Sequence, residues 1–224
     1  MAKRSVSNPL ALAVLACVWE RPMYPYEITT TLRERGKQDS IRLNFGSLYA
    51  VIRSLESHGF VRAARTEREG NRPERIVYEI TQAGMTEALD WMRDLISRPV
   101  KEYPDFEAGL SLLPMLSPDE AKACLAQRLE RLDAEITARS EMEQTGERGL
   151  PELFLIESSY RRAMLEAERA FVASLLERIN RKTFGGIDIW EGLHAALAAG
   201  TSREEIAAQL AARLGEEEST PHHA

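Results

Sequence analysis

A mainly α-helical chain with one small β-hairpin is the fold class the sequence predicts, and three observations lead there. Apolar residues recur at helical spacing through most of the 224 residues. One stretch, residues 60–80, changes to strand-like alternation around a Gly-Asn turn. Two long helical patterns then follow, separated by the breaker "QTGERGLP". Three helices, a hairpin and a closing helix within roughly the first hundred residues give the order of a winged helix-turn-helix. The prediction is that unit followed by an antiparallel helical dimerisation domain. The boundaries are 1–99 for the winged unit, 100–182 for the dimerisation domain, 183–215 for additional helices and 216–224 for a flexible tail.

The first helix is announced by "SNPLALAVLACVWERP", where Asn8 caps, Pro9 takes the first turn, and Leu12, Leu15, Ala16 and Trp19 form the inward stripe. In "PYEITTTLRERG" Pro25 opens a second helix, Ile28, Leu32 and Thr31 face inward, and Gly36 closes it. "NFGSLYAVIRSLESHGFV" holds the third, capped by Asn44, apolar at Leu48, Val51, Ile52 and Leu55, and stopped by Gly59. Strands follow in "FVRAART" and "ERIVYEI", the second alternating Ile76, Tyr78 and Ile80. Thr81 caps a fourth helix with Met85, Leu89, Met92 and Ile96 on one face.

Beyond residue 100, Ser117 and Glu120 form a capping box for a long helix with Leu125, Leu129, Leu132 and Ile136 at heptad-like steps. The next helix, about 151–180, is predicted to pack antiparallel through Tyr160, Met164, Ala167, Phe171 and Leu175. That leaves Leu165, Val172 and Leu176 on another side for a second copy of the chain. "IDIWEGLHAALAAG" and "SREEIAAQLAARLG" read as further helices, the latter with a Ser202–Glu205 capping box.

Composition narrows the function. A chain that is 44% apolar and 29% charged suits a packed core. No apolar run is long enough to span a bilayer and the start lacks the pattern of a secretion signal, so a cytoplasmic protein without membrane association is expected. Cys17 and Cys124 lie in apolar helical patterns and read as buried free thiols. Four histidines at unrelated spacings assemble no metal site, and no Walker loop, G-x-S-x-G or H-E-x-x-H is present. No cofactor, metal or catalytic residue is expected, and the enzyme class is set aside.

Charge is divided unevenly along the chain. The total is −6, but residues 1–82 carry 13 Lys/Arg against 9 Asp/Glu, while the remainder carries 16 against 26. Opposite the apolar stripe of the third helix lie Gly46, Ala50 and Arg53, with Ser47 and Tyr49 on the flanks. Small residues let a duplex approach, Arg53 offers a fork to a guanine edge or a phosphate, and Tyr49 can donate to phosphate. Together with the cap Asn44 and the hairpin tip Arg68, Asn71 and Arg72, these are the candidate DNA-binding residues. Winged helices also act as protein-interaction modules, so an adaptor that binds no DNA stands beside the double-stranded DNA partner.

"NFGSLYAVIRSLESHGFV" followed by "RPERIVYEITQAG" resembles the PadR family of bacterial transcriptional regulators. The likeness rests on Gly46, Leu48, Tyr49, Leu55, Glu56, Gly59, Tyr78, Thr81 and Gly84, and Tyr26-Glu27 resembles a pair in the family's second helix. Pro25 stands where glycine is more usual there. The likeness spans residues 10–92 and extends more loosely to 178. It implies a regulator, usually a repressor, that binds an inverted repeat as a coiled-coil-like homodimer. For some relatives it also implies release by a small aromatic effector. Trp19, Trp91 and Trp190 are read as core rather than as ligand contacts.

Overall fold

The structure, a computed structural model, describes residues 4, 6–41, 45–67, 75–146, 150–202, 204–208 and 211. It divides into two compact units, Met1–Glu102 and Tyr103–Ala224. In the first, α1 (Pro9–Glu20), α2 (Pro25–Glu34) and α3 (Phe45–Ser57) precede a hairpin of β1 (Val61–Glu67) and β2 (Arg75–Ile80), and α4 (Gln82–Ser97) closes it. The strands pair antiparallel, Val61 opposite Ile80 and Glu67 opposite Arg75, with an irregularity between Ala63 and Arg65.

Local chemistry sets the ends of these elements. The Asn8 side chain accepts from the Leu10 amide at 3.0 Å, and Thr81 Oγ1 accepts from Gly84 N at 3.0 Å. Gly36 and Gly59 take φ of 64° and 71°, the left-handed conformation that ends α2 and α3 without a Cβ clash. Leu48, Val51, Ile52 and Leu55 of α3 are all buried against α1 and its neighbours. Each contributes on the order of 1.5–3 kcal/mol of burial.

Two helices turn differently from their predicted stripes. On α1, Leu10, Ala11, Val14, Leu15, Cys17 and Val18 are buried while Ala16 is exposed and Trp19 is 47% exposed, because α2, α3, α4 and β2 enclose α1 on most sides. On α4 the inward face is Gly84, Ala88 and Trp91, and the predicted Leu89, Met92 and Ile96 are exposed. Small residues win that contest because the helix start presses on the chain at Phe60: a Cβ at Gly84 would lie 2.0 Å from the Phe60 carbonyl oxygen. Arg4 fixes the same rotation, reaching Glu87 and Asp94, both at 2.5 Å, with its guanidinium 5.5 Å from the Trp91 ring centroid. In α2, Thr29 rather than Thr31 is buried, and its hydroxyl donates to the Pro25 carbonyl at 3.2 Å.

The second unit contains α5 (Asp105–Ser111), α6 (Pro118–Gly146), α7 (Ile156–Asn180) and α8 (Ile187–Ala198). Ser117 and Glu120 exchange the hydrogen bonds of a capping box at the start of α6. A short connection joins α6 and α7, so two helices of 29 and 25 residues in side-by-side contact run antiparallel. Ala121, Leu125 and Leu132 pack with Val172, Leu175 and Ile179, and Leu129, Leu165 and Leu176 extend the seam. Ile187 and Trp190 of α8 complete this core, and Trp190 Nε1 donates to the Leu116 carbonyl at 2.8 Å.

This packing corrects the stripe nominated for a second chain. Val172 is fully buried inside the protomer, and Leu165 and Leu176 pack against the same core, so none of the three is the open face of α7. Of the stripe predicted to face α6, Leu175 does so, but Tyr160, Met164 and Phe171 are 68%, 54% and 51% exposed. The two stripes lie one residue apart, about 100° around the helix, so periodicity alone did not choose between them. Ion pairs across the seam do: Arg128 Nε meets Glu168 at 2.6 Å and Arg169 meets Asp133, which turns Glu168 and its neighbours Leu165 and Val172 toward α6.

The cysteines also differ from each other. Cys17 is buried, which pushes its thiol up to about 11, whereas Cys124 is exposed on α6. At about pH 8 a water-soluble disulfide reagent is expected to label Cys124 at once and Cys17 only after unfolding; two equally fast thiols would contradict the packing of α1. Gly84→Ala is expected to lower stability by about 1–3 kcal/mol, since the clash is with backbone that has no rotamer to yield. Thermal unfolding followed by circular dichroism measures it, and an unchanged midpoint would refute the close approach.

Candidate nucleic-acid interface

The anchoring of α3 decides what it shows to solvent. With Leu48, Val51, Ile52 and Leu55 held in the core, Gly46, Tyr49, Ala50 and Arg53 stand exposed on the opposite side, and Ser47 is half-buried between them. These five candidates therefore share one ridge. Arg53 makes no hydrogen bond or ion pair among the described residues, which leaves all its donors to an incoming group. Glu56 is exposed and has no ion pair among the described residues; its charge acts on the Tyr78 phenol. Asn44 and the wing residues Arg68, Asn71 and Arg72 lie outside the described residues.

Other basic residues near the ridge are already engaged. Arg35 donates to Glu20 at 2.7 Å, and that hydrogen bond holds the Glu20 carboxyl below the usual carboxylate range. Arg62 on β1 donates to Glu79 on β2 at 2.6 Å. These pairs are exposed and stabilise little, but they decide where positive charge remains uncompensated.

A second feature borders the ridge. Tyr24, Pro25 and Tyr26 at the start of α2, Tyr49 on α3, and Arg75, Ile76 and Tyr78 on β2 enclose a concavity of about 430 Å³. Its walls come together because Met23 forms an isolated antiparallel bridge with Tyr78, Met23 N donating to Tyr78 O at 3.0 Å and Tyr78 N to Met23 O at 2.8 Å. The Arg75 guanidinium lies 5.3 Å from the Tyr24 ring centroid, a cation–π contact. Tyr78 is nearly buried; burial and then the Glu56 charge push its phenol above the ordinary tyrosine value. Tyr26 and Tyr49 are 69% and 57% exposed.

Of this lining only Tyr49 was nominated from the sequence as a contact. Arg75 was legible as one more basic residue in a run of them, and Tyr26 only as a matched pair with Glu27. No local signal announces that a residue before α2 pairs with one in β2, so the concavity could not be assembled from spacing.

In the second unit a groove of about 460 Å³ runs between α5 and α6, with apolar walls that include Phe106, Leu110, Leu113 and Leu125. Arg128 stacks over the Phe106 ring, 3.7 Å from its centroid, and Arg131 lines the same groove with no hydrogen bond or ion pair among the described residues. Trp91 and Trp190 are core residues and Trp19 is half-exposed; none lines this groove or the tyrosine concavity. Among the described residues no group of His, Cys, Asp and Glu is placed to hold a metal ion, and no helix is long and apolar enough to cross a membrane.

Three helices, a two-stranded wing and a closing helix, with an acid-poor ridge on the third helix, define the class: a winged helix-turn-helix. Residues 14–89 match the Transcriptional regulator PadR-like family. The fold is similar to that of Bacillus subtilis PadR in complex with operator DNA, with 20% identity over 77% of this chain and 99% of that one and a TM-score of 0.61. It is also similar to Bacillus subtilis PadR in complex with p-coumaric acid, at 18% identity, 76% and 98% coverage and a TM-score of 0.60. A PadR-like transcriptional regulator from Bacillus cereus matches at 20% identity, 77% and 99% coverage and a TM-score of 0.54. At these identities the likeness is one of fold. No protein of curated function matches the sequence.

Proposed function

We propose that the chain is a sequence-specific DNA-binding transcriptional regulator, a repressor that binds an inverted-repeat operator as a homodimer and is released by a small aromatic effector. The observation that carries this reading is the α3 ridge: within a PadR-like domain, Gly46, Ala50 and Tyr49 leave room for a duplex and Arg53 is uncommitted. The operator DNA bound by the similar Bacillus subtilis protein supports it. A cytoplasmic location and the absence of catalysis follow from the same reading.

The exposed α7 stripe of Tyr160, Met164 and Phe171 supports the homodimer, because large apolar groups at that spacing form one continuous face that a single chain leaves wet. The α5–α6 groove supports the effector. Its apolar walls suit a flat ring and Arg131 suits a carboxylate, and the similar Bacillus subtilis protein holds p-coumaric acid.

Selection of bound sequences from random duplexes, read together with mass under non-denaturing conditions, tests the reading directly. An enriched inverted repeat on a dimer is expected; a folded protein that enriches no sequence is an adaptor and not a DNA reader. Arg53→Ala is expected to weaken binding to the selected site by about 1–3 kcal/mol, with the loss concentrated at one base position. Unchanged affinity would remove Arg53 from the interface. Phe171→Glu is expected to convert a dimer at micromolar concentration to a monomer in analytical ultracentrifugation, whereas a monomeric parent protein would end the dimer proposal.

A further inference from the structure

We infer that the tyrosine-lined concavity beside α3 is a backbone clamp for one sugar-phosphate of the DNA strand, with Arg75 and the hydroxyls of Tyr26 and Tyr49 as its donors. The inference rests on the DNA-binding reading and adds to it a site separate from the base-facing Arg53.

Position is the first reason. Tyr49 belongs both to the concavity and to the α3 ridge, and Arg53 lies one turn further along the same face. A duplex laid against Gly46 and Ala50 therefore draws one of its strands across the mouth of the concavity. Base edges face α3 there, and the strand's phosphates face α2 and β2.

Chemistry is the second. The lining consists of phenols, one proline, one isoleucine and one guanidinium, with no carboxylate among them. Glu27, the acid in the first turn of α2, is ion-paired with Arg21, and Glu79 with Arg62, so neither opposes an anion at full strength. Glu56 remains as an exposed acid near Tyr78. The Arg75 side chain makes no hydrogen bond or ion pair among the described residues; it lies over the π-face of Tyr24. A guanidinium held that way keeps its N–H edges available to a phosphate oxygen. Deoxyribose presents an apolar face, which suits the tyrosine rings, and its phosphate is an anionic partner for the Arg75 guanidinium.

Preorganisation is the third. The Met23–Tyr78 bridge fixes the distance between the start of α2 and β2, and Met23 is itself buried. The clamp therefore exists before DNA arrives, and little ordering is required at binding.

The test uses the full chain and its selected duplex, with Kd measured across a salt series for the parent protein, Arg75→Ala, Arg75→Lys and Tyr26→Phe. Arg75→Ala is expected to bind roughly tenfold more weakly with the base preference unchanged, and to lower the salt slope by about 0.9, one phosphate's worth. Arg75→Lys is expected to keep the slope while losing part of the affinity. Tyr26→Phe, at an exposed position where folding is not at stake, is expected to weaken binding without changing the slope. A scan of single methylphosphonate substitutions then identifies the partner: one position per half-site weakens the parent protein but leaves Arg75→Ala unaffected. Parental slope and affinity in Arg75→Ala together with parental affinity in Tyr26→Phe, or a methylphosphonate profile identical in parent and Arg75→Ala, would overturn the clamp while leaving DNA binding standing. Failure of the parent protein to bind any duplex would overturn both.

Discussion

The two hydrogen bonds between Met23 and Tyr78 are the constraint on which the amino-terminal unit depends. They place the segment leaving α1 alongside β2, so β2 is flanked by β1 on one side and by residue 23 on the other. Met23 and Tyr78 are both buried where they meet, joining the wing to the helical core through side chains as well as backbone. Pro25 begins α2 two residues later, so the direction of α2 is set from the bridge. The packing of α2 on α3 then carries that constraint to the ridge. A two-stranded hairpin is marginal by itself in water; here the bridge and the burial of Val61 and Tyr78 in the helical core hold it.

Charge is arranged on this frame by subtraction. The run of basic residues in the first part of the sequence suggests a uniformly positive surface, yet Arg35 and Arg62 are neutralised by Glu20 and Glu79, and Arg4 by Glu87 and Asp94. Among the described residues, Arg53 on the ridge and Arg75 in the concavity have no ion pair. Exposed ion pairs contribute little stability, but they sharpen the field by removing charge from places where an anion would bind in the wrong orientation.

What the sequence disclosed follows the same division between local and long-range causes. The caps at Asn8, Thr81, Ser117 and Ser202, the left-handed stops at Gly36 and Gly59, and the α3 stripe were legible, because each is decided within a few residues. The stripe predicted for α4, and that for α7 apart from Leu175, differ from the buried faces, because both helices carry apolar residues on two sides. The choice between sides was made by distant partners: Phe60 pressing on Gly84, and Glu168 meeting Arg128. For the same reason Leu165, Val172 and Leu176 were assigned to a partner chain although they face α6. Cys124 was read as buried from its apolar neighbours, but it sits on the open side of α6. The concavity was invisible, since it needs α2, α3 and β2 together.

The two proposals about the second unit and the first meet in the arithmetic of charge. A chain of net charge −6 approaches a polyanion against its own field, so each phosphate contact that a reading head makes matters. On the proposed reading, two heads joined along the α7 face would double the phosphate contacts, and the second head would bind at an effective concentration in the millimolar range. The acids that dominate after residue 82 fit the same reading, since a duplex would be drawn to the basic first part of the chain rather than to the acidic remainder. On that reading the exposed apolar face of α7 and the α3 ridge serve one requirement, because a second head adds phosphate contacts to those of the first.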